Sequence, residues 1–71
     1  MNSIAEFRQK GELSQSQLAI KCGISYQSLS NYENYRRRVS LVNARLIVDS
    51  LNQMGVPCVL DDVFPPTKIA A

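Results

Sequence analysis

The sequence predicts an all-α fold, a compact bundle of four to five short helices. Apolar residues recur at intervals of three and four along most of the chain, which is the spacing of one buried helix face. Glycines at positions 11, 23 and 55 follow three of these apolar stretches, where helices commonly end. Seventy-one residues with an apolar content of 45% are typical of one small folded domain.

Serines mark the expected starts of the second, third and fourth helices. Ser14, Ser25 and Ser40 each precede a stretch with helical spacing, and a serine side chain can accept a hydrogen bond from the free amides of a first helical turn. Gln17 stands three residues after Ser14, which predicts a capping box. We therefore expect helices near residues 15–22, 26–33 and 41–54, after a short first helix that ends near residue 11.

The core is predicted from the apolar spacing within these helices. Leu29 and Tyr32 fall on the inner face of the third helix, and Leu41 begins the inner face of the fourth. The expected core residues are Ile4, Phe7, Leu18, Ala19, Cys22, Ile24, Leu29, Tyr32, Leu41, Ala44, Ile47, Val48 and Leu51.

The C-terminal region is predicted to be less regular. Pro57 restricts Val56 to β or polyproline geometry, so we expect residues 56–59 to be extended or irregular. They form either a plain loop or a short β-strand that pairs across a dimer. Residues 60–64 can form one last helical turn before two prolines. We place the domain at residues 1–64 and a C-terminal tail at residues 65–71.

Charge is unevenly distributed along the chain. Residues 1–45 contain seven Lys or Arg and three Glu, for a net charge of +4, whereas residues 46–71 contain one Lys and three Asp, for a net charge of −2. Three consecutive arginines, Arg36–Arg38, follow the third predicted helix. The first part of the chain is therefore where an anionic partner is expected to dock.

The composition argues against catalysis and metal binding. The chain contains no histidine, which removes the most common general base and metal ligand. Cys22 and Cys58 are isolated, so we expect buried free thiols. No apolar run is typical of a signal peptide or long enough for a membrane span. We expect a cytoplasmic, nucleoid-associated protein that is not an enzyme and uses no cofactor or metal.

Two short helices joined by a tight glycine turn make a helix-turn-helix. Ala19 is small where the helices must cross, Gly23 lies at the reversal, and Ile24 and Leu29 fill the angle between them. At these positions the stretch LSQSQLAIKCGISYQSLSNYEN resembles the xenobiotic-response-element (XRE) family of helix-turn-helix proteins, the Cro and repressor type. The resemblance continues through SLVNARLIVDSLNQMGV and LDDVF, and so covers about residues 4–64. It implies a lambda-repressor-like DNA-binding domain.

The resemblance implies that the third helix lies in the major groove with its N-terminal half against base edges. Neutral hydrogen-bonding groups on its outer face can read bases, while arginines after it supply attraction through phosphates or a neighbouring minor groove. Gln15 is also expected to brace Gln27. The expected base-reading residues are Tyr26, Gln27, Ser30 and Asn31. The expected phosphate or minor-groove contacts are Ser14, Gln15, Ser28, Asn34, Arg36, Arg37, Arg38 and Ser40.

Two further positions follow from the resemblance. Arg8 and Glu33 correspond to a buried ion pair between the first and third helices in part of this family. Tyr35 stands where the family usually has a glycine that ends the recognition helix with a positive φ. We therefore expect either that Asn34 takes that conformation or that the helix continues.

A dimer interface is expected away from the DNA face. Val42 and Leu46 stand at positions that are commonly polar in the family, four residues apart on one face of the fourth helix. They can form an exposed apolar patch, and we expect them to contact a second copy together with Val56 and Val59.

The function expected from these features is sequence-specific binding of a double-stranded DNA operator by a homodimeric regulator, a small prophage or plasmid repressor. One alternative is an antitoxin that binds a toxin partner and represses its own operon, although the short PPTKIAA tail is unlike a long toxin-wrapping segment. Another is a restriction-modification controller. No membrane partner is expected.

Overall fold

The computed structural model describes residues 2–65, and in that range the chain forms α-helices and no β-strand. This confirms the predicted all-α fold. Most of the predicted tail, residues 66–71, lies outside the described residues. No helix within residues 2–65 is long and apolar enough to span a bilayer. The helices are Ile4–Lys10 (α1), Gln15–Cys22 (α2), Tyr26–Glu33 (α3), Leu41–Gln53 (α4) and Leu60–Val63 (α5).

Serine caps begin α2, α3 and α4, as predicted. The Ser14 hydroxyl accepts a hydrogen bond from the Gln17 amide at 3.0 Å, and the Gln17 side chain accepts one from the Ser14 amide at 2.8 Å, which completes the predicted capping box. Ser25 and Ser40 each accept a bond from the amide three residues later. These caps satisfy amides that have no partner inside their helix.

The first four helices end in the same hydrogen-bonded closing turn. One residue adopts a positive φ and donates its amide to the carbonyl three residues back, and the next amide donates to the carbonyl five residues back. This pair of bonds is the Schellman motif, in which a positive φ reverses the chain. The positive-φ residues are Glu12, Gly23, Tyr35 and Gly55.

Neither expectation for the end of the third helix is correct. The helix ends at Glu33, Asn34 keeps a φ of −93°, and Tyr35 itself adopts a φ of 59°. The amides of Tyr35 and Arg36 donate to the carbonyls of α3 at 3.2 and 2.9 Å. Because those two bonds hold the turn closed, they impose the left-handed conformation on whichever residue stands at position 35.

The core lies where α2, α3 and α4 meet, with α1 and α5 packed against its ends. Most of the residues predicted to face the core are buried. Phe7 and Ile24 are partly buried at the margin of the core, and Leu41 is 59% exposed. Helical spacing predicts which way a side chain points, but not whether a neighbouring element covers it. Leu41, in the first turn of α4, has the predicted spacing and remains exposed. The buried Tyr32 hydroxyl accepts a hydrogen bond from Asn43 at 2.9 Å, so no polar group is stranded there.

The segment between α4 and α5 is attached to α4 by one side chain. The Asn52 amide donates to the carbonyls of Val48 and Cys58, at 2.9 and 2.8 Å, and its oxygen accepts from the Cys58 amide at 3.3 Å. Val56 is packed so closely against Gly11 that a methyl group on the glycine would clash with its Cγ2 atom. Residues 56–59 have no regular secondary structure, and among the described residues they pair with no strand.

Candidate nucleic-acid interface

The outer face of α3 carries the four residues that were expected to read bases. Tyr26 and Gln27 are exposed, and Ser30 and Asn31 are partly exposed on the same side of the helix. Leu29 and the rest of the inner face are buried in the core. The Gln27 amide donates to the Asn31 side-chain oxygen at 3.3 Å, which aligns two carboxamides along the exposed face. The structure thus brings these neutral polar groups onto one accessible surface.

The hydroxyl and amide groups at the two ends of α3 make local hydrogen bonds. The Ser25 hydroxyl donates to the Ser28 hydroxyl at 2.8 Å and accepts from the Ser28 amide at 3.0 Å. Asn34 donates back to the Ser30 carbonyl at 2.8 Å. Ser28 and Asn34 are therefore held against the helix, and Asn34 remains exposed beside the arginines.

An ion pair beneath α3 connects three helices. The Arg8 guanidinium donates to both Glu33 carboxylate oxygens at 3.0 Å and to the Leu13 carbonyl at 2.8 Å. The Gln15 amide donates to the same carboxylate at 3.1 Å. The Glu33 side chain is only 5% exposed, so these bonds replace its lost hydration. Gln15 does not brace Gln27, because the charged carboxylate is the stronger acceptor within its reach.

The three arginines after α3 line a groove of about 400 Å³ and are exposed. The ion pair of Arg8 with Glu33 is the only one within residues 2–65, so no described carboxylate neutralises Arg36–Arg38. Residues near the two ends of the described chain also line this groove. The groove is lined by Asn2, Tyr35, Arg36–Arg38, Val39 and Phe64.

Sequence reasoning did not place Asn2 or Tyr35 at this surface. The Asn2 side chain donates to the Tyr32 carbonyl at 2.9 Å, and the Tyr35 hydroxyl donates to the Asn2 carbonyl at 3.3 Å. These contacts join residues about thirty positions apart, so no local pattern predicts them. The signal that was available for Tyr35 was a bulky residue at a position where a helix end needs a positive φ.

Three of the four residues expected to make dimer contacts are exposed. Val42 is 69% exposed, and Leu46 and Val59 are also exposed. Val56 is 5% exposed and belongs to the core, so its inclusion was wrong: the close approach of Gly11 encloses it. Ile20 and Leu41 are exposed apolar residues as well.

Both cysteines are buried free thiols, as predicted. Burial raises the pKa of the Cys22 thiol, and the Ser50 side chain opposes part of that rise. Burial also raises the pKa of Cys58, and the nearby Asp62 carboxylate adds to it. Neither thiol is activated as a nucleophile. Residues 2–65 contain no group of His, Cys, Asp or Glu that could hold a metal ion.

Comparison with known families identifies the domain. A family model described as Helix-turn-helix matches residues 4–53, well over half of the chain. The chain belongs to the XRE helix-turn-helix family. The match spans α1 to α4 of this XRE-family protein and ends before α5. Family membership implies a DNA-binding transcription regulator. No curated protein matches the chain.

Proposed function

We propose that this XRE-family protein is a sequence-specific repressor of the small prophage or plasmid type, which binds its operator as a homodimer with α3 in the major groove. One observation carries the proposal: α3 presents neutral hydrogen-bonding side chains on one exposed face, and three exposed arginines follow it after Asn34 and Tyr35. Base reading and phosphate attraction are thereby assigned to adjacent, separate groups.

Base reading rests on Gln27 and Asn31. A carboxamide can pair bidentately with the N6 and N7 positions of adenine in the major groove. The bond between the two side chains uses one amide hydrogen and one oxygen, so the remaining donors and acceptors stay available. Tyr26 and Ser30 lie beside them and can contact a thymine methyl or a further base edge.

Phosphate binding is assigned to the arginines and to the start of two helices. The N-termini of α2 and α4 carry exposed caps, Ser14 and Ser40, where helix amides and the helix dipole favour an anion. Gln15 is held by Glu33 through one amide hydrogen, which leaves its second hydrogen for a phosphate. Ser28 and Asn34 complete the proposed backbone contacts at the ends of α3.

The ion pair supports this arrangement as a positioning element. Glu33 is the last residue of α3, and its carboxylate bonds to residues of α1 and α2. A carboxylate held by three donors has little freedom to turn. The pair therefore keeps the reading helix at a constant angle to the helix that approaches the phosphates.

A homodimer is proposed through Val42 and Leu46 on α4. Two copies joined there would present two α3 helices about one DNA turn apart, roughly 34 Å, to a repeated half-site. Leu46→Glu is expected to shift the protein toward monomer in analytical ultracentrifugation and to weaken operator binding. A dimer of unchanged stability would exclude this face as the interface.

The function is tested by selecting bound duplexes from a random DNA pool and comparing two variants over a salt series. Gln27→Ala is expected to lose about 1–3 kcal/mol of preference for the selected duplex over a scrambled one, with an unchanged salt slope. Arg37→Ala should weaken binding to both duplexes and reduce the slope by about one. A Gln27→Ala variant that keeps its full preference would show that α3 is not the reading element.

A further inference from the structure

The closing turn of α3 differs from the other three in the residues it uses. In the turns after α1, α2 and α4, the residue that follows the positive-φ position is apolar and packs in or against the core: Leu13, Ile24 and Val56. After α3 that residue is Arg36, which is exposed. The α3 turn therefore lacks the apolar contact that normally accompanies this motif.

The closing bonds of the turn account for the conformation of residue 35, but folding does not account for a tyrosine at that position. A positive φ is unfavourable for a residue with a Cβ atom and most unusual for a bulky one. Burial does not compensate, because the side chain is 60% exposed. Within residues 2–65, the one hydrogen bond of its side chain, from the hydroxyl to the Asn2 carbonyl, is long at 3.3 Å. Backbone strain of this kind is commonly found where a side chain serves a binding function.

The left-handed turn brings the Tyr35 ring to the same groove as the three arginines. An aromatic ring beside unneutralised guanidinium groups can pack against deoxyribose while the guanidiniums bind the adjoining phosphates. Arg36 follows the last residue of α3 by three positions, so its Cα lies within about 11 Å of the helix end. The groove is therefore close enough to α3 for one DNA strand to contact both.

We propose that the groove formed by Tyr35, Arg36–Arg38 and Asn2 binds the sugar–phosphate backbone that flanks the base pairs read by α3, and that the Tyr35 ring is a contact residue in it. This inference rests on the proposed function, because it takes DNA as the partner. Charge complementarity favours DNA as the partner, because the groove is cationic and no described carboxylate neutralises it.

The test compares Tyr35→Gly and Tyr35→Asn with Glu12→Gly, using a duplex selected from a random pool. Both Tyr35 variants should bind about fivefold more weakly, which is the effect of one modest contact. The salt slope should not change, because no charge is removed. Glu12→Gly relieves the same backbone conformation at the end of α1 and removes a negative charge, so it should not weaken binding. Asparagine tolerates the positive φ and controls for the flexibility that glycine adds.

Shortening the duplex from both ends locates the contact. The wild-type protein should lose its advantage over the Tyr35 variants once the flanking backbone is removed. A loss that persists on the short duplex, or an Asn variant with full affinity, would overturn the inference. A second result would also overturn it: the wild-type protein binds a short poly-glutamate peptide, and both Tyr35 variants lose that binding but bind DNA normally. That result would assign the groove to an acidic protein partner.

The two proposals fail in different ways. If Gln27→Ala loses sequence preference while both Tyr35 variants keep full affinity, only the flanking-backbone inference fails. If the chain retains no duplex from the random pool, the proposed function fails and the inference fails with it.

Discussion

The ends of α2 and α3 are closed by the same two backbone hydrogen bonds, yet they carry opposite kinds of side chain. At the end of α2, Gly23 takes the positive φ and Ile24 packs against the core. At the end of α3, Tyr35 takes the positive φ and Arg36 faces solvent. The two backbone bonds are thus sufficient to end a helix. The side chains at such an end are therefore free to face solvent instead of the core.

The last helical residues continue this contrast. Cys22 ends α2 as a buried thiol whose Sγ atom lies 3.9 Å from the Leu46 carbonyl oxygen of α4. Glu33 ends α3 as a buried carboxylate that needs three donors. One end is stabilised by apolar burial and the other by a polar network, so the two ends should respond differently to substitution.

The largest expected effect is at Glu33. Glu33→Ala should lower the free energy of unfolding by about 3 kcal/mol, because it leaves the Arg8 guanidinium partly buried without its partner. Urea denaturation measures the loss. The paired substitution Arg8→Met/Glu33→Leu is the control, and it should be less destabilising than Glu33→Ala because it leaves no unpaired charge. A loss below about 0.5 kcal/mol for Glu33→Ala would contradict a buried network.

The α2 end should respond through its backbone. Gly23→Ala is expected to lower the free energy of unfolding by about 1 kcal/mol, because alanine disfavours a φ of 75°. A Cβ atom there meets nothing within 4 Å, so crowding makes no contribution. Gly55→Ala, with the same open surroundings at the end of α4, serves as the matched comparison and should lose a similar amount. If Gly23→Ala is neutral, the positive φ is not a source of strain.

The α3 end should respond in the opposite direction. Tyr35→Gly is expected to raise the free energy of unfolding by about 0.5 kcal/mol, since relief of the positive φ exceeds the entropy that glycine loses on folding. Thermal unfolding followed by circular dichroism measures the change. Tyr35→Phe keeps the backbone conformation and should be nearly neutral. A clear destabilisation by Tyr35→Gly would mean that the ring stabilises the fold.

The smallest effect is expected at alkaline pH. Because burial raises the pKa of Cys22 above its ordinary value of 9.0, the folded state holds the thiol proton more tightly than the unfolded state. The resulting stability is complete below pH 9.0 and is lost as the pH rises through the folded pKa. Denaturation at a series of pH values should show this decline, and Cys22→Ala should reduce it. An identical decline in the variant would assign it to other groups, including Cys58.

The sequence predicts the helices well because their boundaries are encoded locally. Ser14, Ser25 and Ser40 cap helices through the amide three residues later, and Gly23 supplies the positive φ at the place where the chain turns. The pairing of Arg8 with Glu33 joins residues 25 positions apart, and only the family resemblance suggested it.

The remaining features depend on contacts that no local pattern contains. Leu41 has core spacing, but it is exposed in the structure. Val56 was expected at a dimer contact, and its packing against Gly11 joins distant parts of the chain, which no local pattern shows. Gln15 turns to Glu33 and not to Gln27 because folding brings a carboxylate to it. Tyr35 was identified as a departure from the glycine that is usual in the family. Its positive φ was not predicted, because that conformation follows from the closing bonds of the turn.

The meeting of the two ends of the described chain has a practical consequence for labelling. The Ser3 amide donates to the Val63 carbonyl at 2.7 Å, and Asn2 and Phe64 line the same groove. A fluorophore attached near residue 2 or residue 65 would therefore lie beside the arginines, and its emission would change when DNA binds there. A bulky affinity tag at either place would instead obstruct the groove.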